Sequence, residues 1–506
     1  MQTSLLLEMA SDAAPDRIIL GELSSGVSLA ELQGRARGAA AWLSRQSGDT
    51  VVFLGLNSVY LPVTVFAAGL VGKPFAPINY RLSDEELRRL VARTAPSIAI
   101  VDDDMLPRVQ GVEGVQLVAA SAFRAACEDP ANRAEELPFF DPDTADIGVL
   151  LFTSGTTGEP KAAVLRHRNL TSYVISTVEF LGSDEAEAAL VSVPPYHIAG
   201  ISAVLTGIYS GRRIVHMPAF TPEGWVSLAA QEKISHAMVV PTMMGRILDL
   251  LEARGEKLPH LKALSYGGGR MPQVVIERAL KLLPHVDFVN AYGLTETSST
   301  IAVLGPEDHR EAMASSDPNV RRRLGSVGRP LPTLELEIRG PNGEVLGPNA
   351  SGEIYVRGDQ VSGEYLSKKV IRDDGWFPTN DGGWIDDDGY LYVEGRLDDV
   401  IVRGGENMSP GEIEDVLRQH PNVADVAVLG LPDNEWGEKV CAVVVAKSGE
   451  PTPEELAAFV KARLRSSKTP EVWEFREVLP YNDTGKLLRR VLKAELAKAA
   501  GQLTTV

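Results

Sequence analysis

Leu150, Leu151 and Phe152 lead straight into Thr153, Ser154, Gly155, Thr156, Thr157 and Gly158, and then through Glu159 and Pro160 to Lys161. Glycines let backbone N–H groups approach phosphate oxygens, hydroxyls add donors, and a lysine supplies charge. The pattern differs from the Walker loop, because no Gly-Lys-Ser/Thr closes it. A plain Ser/Thr/Gly turn accounts for a short piece of this string, but poorly for the whole of it.

The string resembles the signature phosphate loop of the adenylate-forming superfamily, which contains acyl- and aryl-CoA synthetases, peptide-synthetase adenylation domains and firefly-type luciferases. The resemblance covers nearly the whole chain, since further family motifs follow in order, and it lies nearest to the acyl-CoA synthetases. It implies ATP, Mg²⁺ and coenzyme A as ligands. Thr153, Ser154, Gly155, Thr156, Thr157 and Lys161 would then hold the phosphates. In Asn290-Ala291-Tyr292-Gly293-Leu294-Thr295-Glu296 the resemblance makes Tyr292 the adenine-stacking ring, Thr295 the α-phosphate contact and Glu296 the Mg²⁺ ligand. An aromatic face, a hydroxyl and a hard oxygen suit those jobs. It also sets Gly268, Asn290, Ala291 and Gly293 against the nucleotide. Asp381, closing Phe377-Pro378-Thr379-Asn380-Asp381, inherits the ribose diol, which a carboxylate can accept with two hydrogen bonds. The family usually has glycine where Asn380 stands, and asparagine is the least costly replacement if φ is positive there. Arg396 would reach the nucleotide, although an ordinary salt bridge would also explain it. Asp398 would be a hinge. Past it, Arg403, Gly404 and Gly405 would line the pantetheine tunnel, and Lys486 would be the catalytic lysine of adenylation.

The acid is less specified. His197, in Pro194-Pro195-Tyr196-His197-Ile198-Ala199-Gly200, either borders the carboxylate pocket or is a packed, hydrogen-bonded histidine. Ile198 to Leu205 contains no acidic residue that could grip an amino group, which disfavours an amino-acid substrate. Gly267, Gly268 and Gly269 precede Arg270 where the family more often has Gly-Gly-Ala-Pro. They favour a long or bulky acid by clearing the pocket wall, or else add backbone mobility.

These motifs need a scaffold. Leu29–Leu43 has helical apolar spacing, Val51–Leu54 reads as a buried strand, and Ser83 to Glu86 has the spacing of a capping box. Short strands recur at Ile98–Val101, Val149–Phe152, Val191–Val193, Met238–Val240 and Phe288–Val289. Strands separated by helices imply parallel sheets covered on both faces. Alternating strands at Thr333–Arg339 and Gly352–Arg357 predict an antiparallel or barrel-like subdomain. The expected fold is therefore α/β: a large N-terminal domain, 1–397, and a small mobile α+β lid, 398–506. The lid is predicted to hold helices at Pro410–His420 and Pro453–Leu464, strands at Val423–Leu429, Val440–Val445 and Trp473–Val478, and a last helix from Leu487.

A chain of 506 residues exceeds what one core organises. Its net charge of −18 disfavours nucleic acid. Cys127 and Cys441 lack metal-ligand spacing and read as core residues in a reducing cytoplasm. The start lacks the basic and apolar regions of a signal peptide. Val59–Val71 is too short for a bilayer span, so it reads as a buried helix without integral membrane association. The reading that follows is an AMP-forming ligase joining a small-molecule carboxylic acid, long or bulky and without an amino group, to coenzyme A, with a homodimer left open. Alternatives are a relative running only the acyl-AMP to acyl-CoA step, transfer to a carrier protein, or a non-enzymatic nucleotide- or acyl-binding protein.

Overall fold

The computed structural model describes residues 1–137, 146–154, 160–404, 406–433, 435–447, 449, 451–481 and 487–501. Among these residues the strands form four sheets. The first runs Arg329–Pro330, Ser299–Leu304, Asp287–Leu294, Ala263–Gly267, His236–Val239, Ala188–Val191, Arg213–His216, Ile18–Leu20 and Val27–Ser28 from edge to edge. From Asp287–Leu294 to Ile18–Leu20 all neighbours are parallel. Their carboxyl ends, which precede Gly268, His197 and Thr295, therefore gather along one side, where open α/β sheets place ligands.

The second sheet holds Thr50–Leu54, Ser97–Val101, Phe75–Pro77 and Ile147–Ser154 as its inner part. Helices Leu29–Ser44, Tyr60–Leu70 and Ile198–Ser210 are packed between the two sheets in a single apolar cluster. That cluster joins Phe53, Phe75 and Val149 of one sheet to Leu20, Val191 and Ile214 of the other. Tyr60–Leu70 is buried along most of its length, which is why its sequence shows no polar face. Ser83 caps Asp84–Ala92 with a reciprocal bond: Glu86 N–H donates to Ser83 Oγ (3.4 Å), and Ser83 N–H to Glu86 Oε2 (3.0 Å).

The third sheet, Glu335–Arg339, Gly352–Arg357, Phe377–Ile385 and Leu391–Arg396, is antiparallel throughout. A short turn, Leu397–Asp399, separates it from the C-terminal domain. There Gly437–Ala446 pairs antiparallel with Val423–Asp433 and parallel with Val472–Phe475. Helices Pro410–Arg418 and Pro453–Lys461 cover one face around Ile413, Leu417, Val428 and Val444. Leu492 of Arg489–Gly501 packs on the other face with Leu429 and Cys441. Cys127 and Cys441 are free and fully buried, as core residues should be.

The sequence reading did not include the strand Pro160–Arg166, and two further differences concern element ends. The strand expected at Val191–Val193 stops at Val191, because Pro194 and Pro195 cannot donate to a ladder. The last helix starts at Arg489 and not Leu487, since Leu487 bridges Tyr481 and Leu488 N–H bonds Pro480 O (2.9 Å). No helix among the described residues is long and apolar enough to cross a membrane.

Candidate active site

Phosphate-loop chemistry needs a rigid base. Here Ile147–Ser154 and Pro160–Arg166 form an antiparallel hairpin, with Thr153 opposite Lys161. Thr153 Oγ donates to Lys161 O (3.3 Å), and Arg93 reaches over to bond Pro160 O (2.7 Å). Gly155, Thr156 and Thr157, with the side chain of Ser154, lie outside the described residues. The returning strand was not foreseen, because a loop dense in glycine and hydroxyls gives no sign of its exit.

Asp287–Leu294 carries the second motif. Tyr292 donates its hydroxyl to Asp381 Oδ2 (2.6 Å), while Arg396 bonds Asp381 Oδ1 (3.1 Å) and Thr379 O (3.0 Å). Three residues predicted separately from sequence are thus one connected cluster. Burial, and then the Asp381 charge, push the Tyr292 phenol well above its ordinary pKa. Burial opposes ionisation of Arg396, but the Asp381 carboxylate prevails and raises it. Each Asp381 oxygen carries one of these bonds and keeps a further lone pair, so a diol can still be accepted. Asn380 has φ +60°, the conformation in which asparagine replaces glycine at least cost, and its amide donates to Asp398 Oδ2 (3.0 Å).

Thr295, Glu296 and Thr297 form a tight turn. Glu296 is 9% exposed; its Oε1 accepts from the Tyr365 hydroxyl, and its carbonyl accepts from Ser362 N–H (2.9 Å) and Gly363 N–H (3.1 Å). No group of three His, Cys, Asp or Glu suited to a metal occurs among the described residues. Mg²⁺ is usually held by one or two carboxylates together with substrate phosphates, a demand that a single enclosed carboxylate such as Glu296 could meet. Thr297 locks the turn, its Oγ accepting from Leu294 N–H (3.0 Å) and lying 2.9 Å from Ser299 O. Gln360 fastens the same turn through Thr297 O (3.0 Å) and Thr300 O (2.8 Å). Tyr365, Thr297 and Gln360 were missed; only Thr297 had a local signal, at the end of the motif.

Gly293 and Gly267 are demanded by packing. A Cβ at Gly293 would lie 1.8 Å from Ser299 O, and one at Gly267 would lie 2.3 Å from Ala291 O. Gly268 has φ +76°. A Cβ at Gly269 would meet nothing nearer than 3.8 Å. The triple glycine therefore reflects close strand approach and a left-handed turn, and only Gly269 remains as a position kept small without a steric reason. Asn290 donates to Ser326 O (3.1 Å), holding the neighbouring loop.

His197 caps Ile198–Ser210 in an extended conformation, its ring 4.7 Å from Tyr196, which meets Tyr80 edge-on at 5.4 Å. Nearby in sequence, His216 ends its strand with both ring nitrogens buried and unpartnered, and burial holds its pKa down at about 4. In the lid, Arg403 pairs with Glu471 (2.6 Å) and stacks on Trp436 (4.8 Å), and Gly404 N–H bonds Trp436 O (2.8 Å). These contacts hold the loop on the lid's own surface. Gly405 and Lys486 lie outside the described residues.

The chain's own matches agree with this geometry. The AMP-binding enzyme family matches residues 7–366, and the AMP-binding enzyme C-terminal domain matches 412–486. The chain is 32% identical to the 2-succinylbenzoate–CoA ligase of Bacillus licheniformis, over 96% of this chain and 98% of that one. It is 33% identical to a feruloyl-CoA synthase of Amycolatopsis sp, over 87% and 88%. The o-succinylbenzoate CoA synthetase MenE of Bacillus subtilis, solved with ATP and a magnesium ion, superposes with a TM-score of 0.82 at 29% identity, covering 96% of this chain and 99% of that one. The chain belongs to the AMP-binding enzyme family, within the adenylate-forming superfamily of acyl- and aryl-CoA synthetases.

Proposed function

We propose that the protein is an AMP-forming acid–CoA ligase acting on a carboxylic acid without an α-amino group, an aromatic or long-chain acid being the preferred class. The observation that carries this is the half-buried cluster of Tyr292 and Arg396 around the buried carboxylate of Asp381, beside a turn that presents Glu296. Asp381 accepts the ribose hydroxyls and Tyr292 offers its ring to adenine. Thr153 and Lys161 stand at the mouth of the phosphate loop, and Lys161 contributes positive charge. Glu296 would hold Mg²⁺, which when bound would supply neutralisation of phosphate charge. The acid carboxylate attacks the α-phosphorus, the bond to pyrophosphate breaks, and Lys486 steadies the charge that develops. Coenzyme A thiol then attacks the acyl carbonyl, releasing AMP, with Arg403, Gly404 and Gly405 flanking its path. Two domains, meeting at Asp398, would divide these tasks.

The substrate class rests on the acid-free stretch Ile198–Leu205 and on the ring-bearing acids named for the 2-succinylbenzoate and feruloyl relatives. The test is acid-dependent pyrophosphate exchange followed by CoA-dependent thioester formation, across benzoic, cinnamic and fatty acids. The reading expects AMP and pyrophosphate with at least one of them. ADP and phosphate as products would overturn it.

A further inference from the structure

Arg270 is the residue of the pocket-wall loop that the reaction above leaves unused. It follows Gly267, whose close approach to Ala291 O fixes the loop against the nucleotide motif, and Gly268, which turns it outward. The Arg270 side chain crosses to the lid, where Nη2 bonds Asp415 Oδ2 at 2.5 Å. Asp415 sits on Pro410–Arg418, and Gly411 of that helix makes the room: a Cβ there would lie 2.5 Å from Arg270 Nη1. Among the described residues this is the ion pair that joins the N-terminal domain to the lid beyond the hinge turn. From Asp415 the charges continue to both functional ends of the lid. Arg418 lies 3.8 Å from Asp415 and 3.5 Å from Asp425, and Asp425 accepts from the hydroxyl of Tyr481 (2.6 Å), five positions before Lys486 in the sequence. Adjacent Glu414 binds Arg489, which lies 4.0 Å from Asp399 in the hinge turn.

We propose that Arg270 and Asp415 form a latch that holds the lid in this one of its two orientations, making Arg270 a positioning residue that couples the wall of the acid pocket to lid rotation. The inference rests on the two-step reading above. Half-exposed ion pairs are weak, so the latch biases the lid without locking it: losing it should change the ratio of the two orientations by about two- to fivefold.

Lid position can be read without catalysis. Spin labels at Val274→Cys and Glu454→Cys, both exposed, report the distance from pocket wall to lid by pulsed electron resonance. Arg270→Ala and Asp415→Asn should each move population from the parent distance to a second one, and the double variant should go no further than either alone. Arg270→Gln covers the case in which the alanine variant folds poorly, as judged by circular dichroism. An unchanged distance distribution in a folded Arg270 variant, or additive shifts in the double variant, would overturn the latch. In the same variants, pyrophosphate exchange and thioester formation from supplied acyl-AMP should move in opposite directions. A merely structural arginine would lower both together, with a lower melting temperature and an unmoved distance. A lid that responds in a protein inactive with every acid would uphold the latch while refuting the ligase reading.

Discussion

Asp381 is the residue on which the proposed nucleotide binding would turn. Its carboxylate is 7% exposed and already fixed by Tyr292 and Arg396, so it meets a ribose without having to be ordered. Asp381→Ala should weaken ATP binding by about 1.5–3 kcal/mol, the worth of hydrogen bonds to a charged group, while leaving the ranking of acids as it was. Calorimetry with ATP measures the first part and competition between acids the second. An unchanged ATP affinity would assign the segment another purpose. The candidate roles of Asp381, Tyr292 and Glu296 were legible because each motif is local and its residue types are distinctive. Asn380 was legible in a conditional way: asparagine replaces glycine at least cost where φ is positive, and the backbone meets that condition. Tyr365 was not legible. It reaches Glu296 from 69 positions away, and nothing around it in the sequence marks it.

At the scale of elements, the site depends on strands approaching more closely than side chains allow. Gly293 shows the requirement best, since Ser298 (φ +56°) and Ser299 (φ +116°) fold the chain back directly over it. Gly293→Ala should cost about 3 kcal/mol, at the upper end for overpacking, because the obstructing atom is a backbone carbonyl that cannot swing aside. Urea unfolding measures this, and a loss of less than about 0.5 kcal/mol would mean that the hairpin relaxes freely. Short apolar runs placed the inner strands, and their alternation with helices gave the parallel character of the sheets, because strands buried on both faces are apolar throughout and parallel neighbours need a crossover. Neither could give the reason for Gly267, because that glycine answers to Ala291 on a neighbouring strand. Reading the triple glycine as room for substrate put a packing requirement in the place of a binding one. Arg270 escaped for a similar reason, its partner lying 145 positions away on the lid.

At the scale of the whole molecule, a response to pH is expected through histidines enclosed by the packing, and a response to ligands through the lid. Burial lowers His167, His216 and His236 to about 4. Unfolded histidine binds its proton near pH 6.5, so between about pH 6.5 and 4 the unfolded chain holds more protons than the folded one. Stability is full above that window and falls as pH drops through it. Melting temperature should therefore decline from pH 7 to 5, and more shallowly in His216→Leu, whose side chain takes no proton. An equal slope in that variant would place the acid sensitivity elsewhere. On the proposed reading the lid separates the two half-reactions. Tyr481 and Leu487, which flank Lys486 in the sequence, bridge one another on the lid, so Lys486 should meet the site in only one orientation of that domain. Rotation about Asp398 should withdraw it and bring Arg403 and Gly404 towards the adenylate, a hinge step. Lys486→Ala should then slow acyl-AMP formation about a hundredfold or more, since it removes a preorganised charge from the transition state. Thioester formation from supplied acyl-AMP should survive nearly intact. Asp398→Pro, provided it folds, should do the reverse by stiffening the turn. Single-turnover assays of each step separate the outcomes. Unimpaired overall activity in Lys486→Ala would remove that lysine from the chemistry, and equal loss of both steps would make it structural.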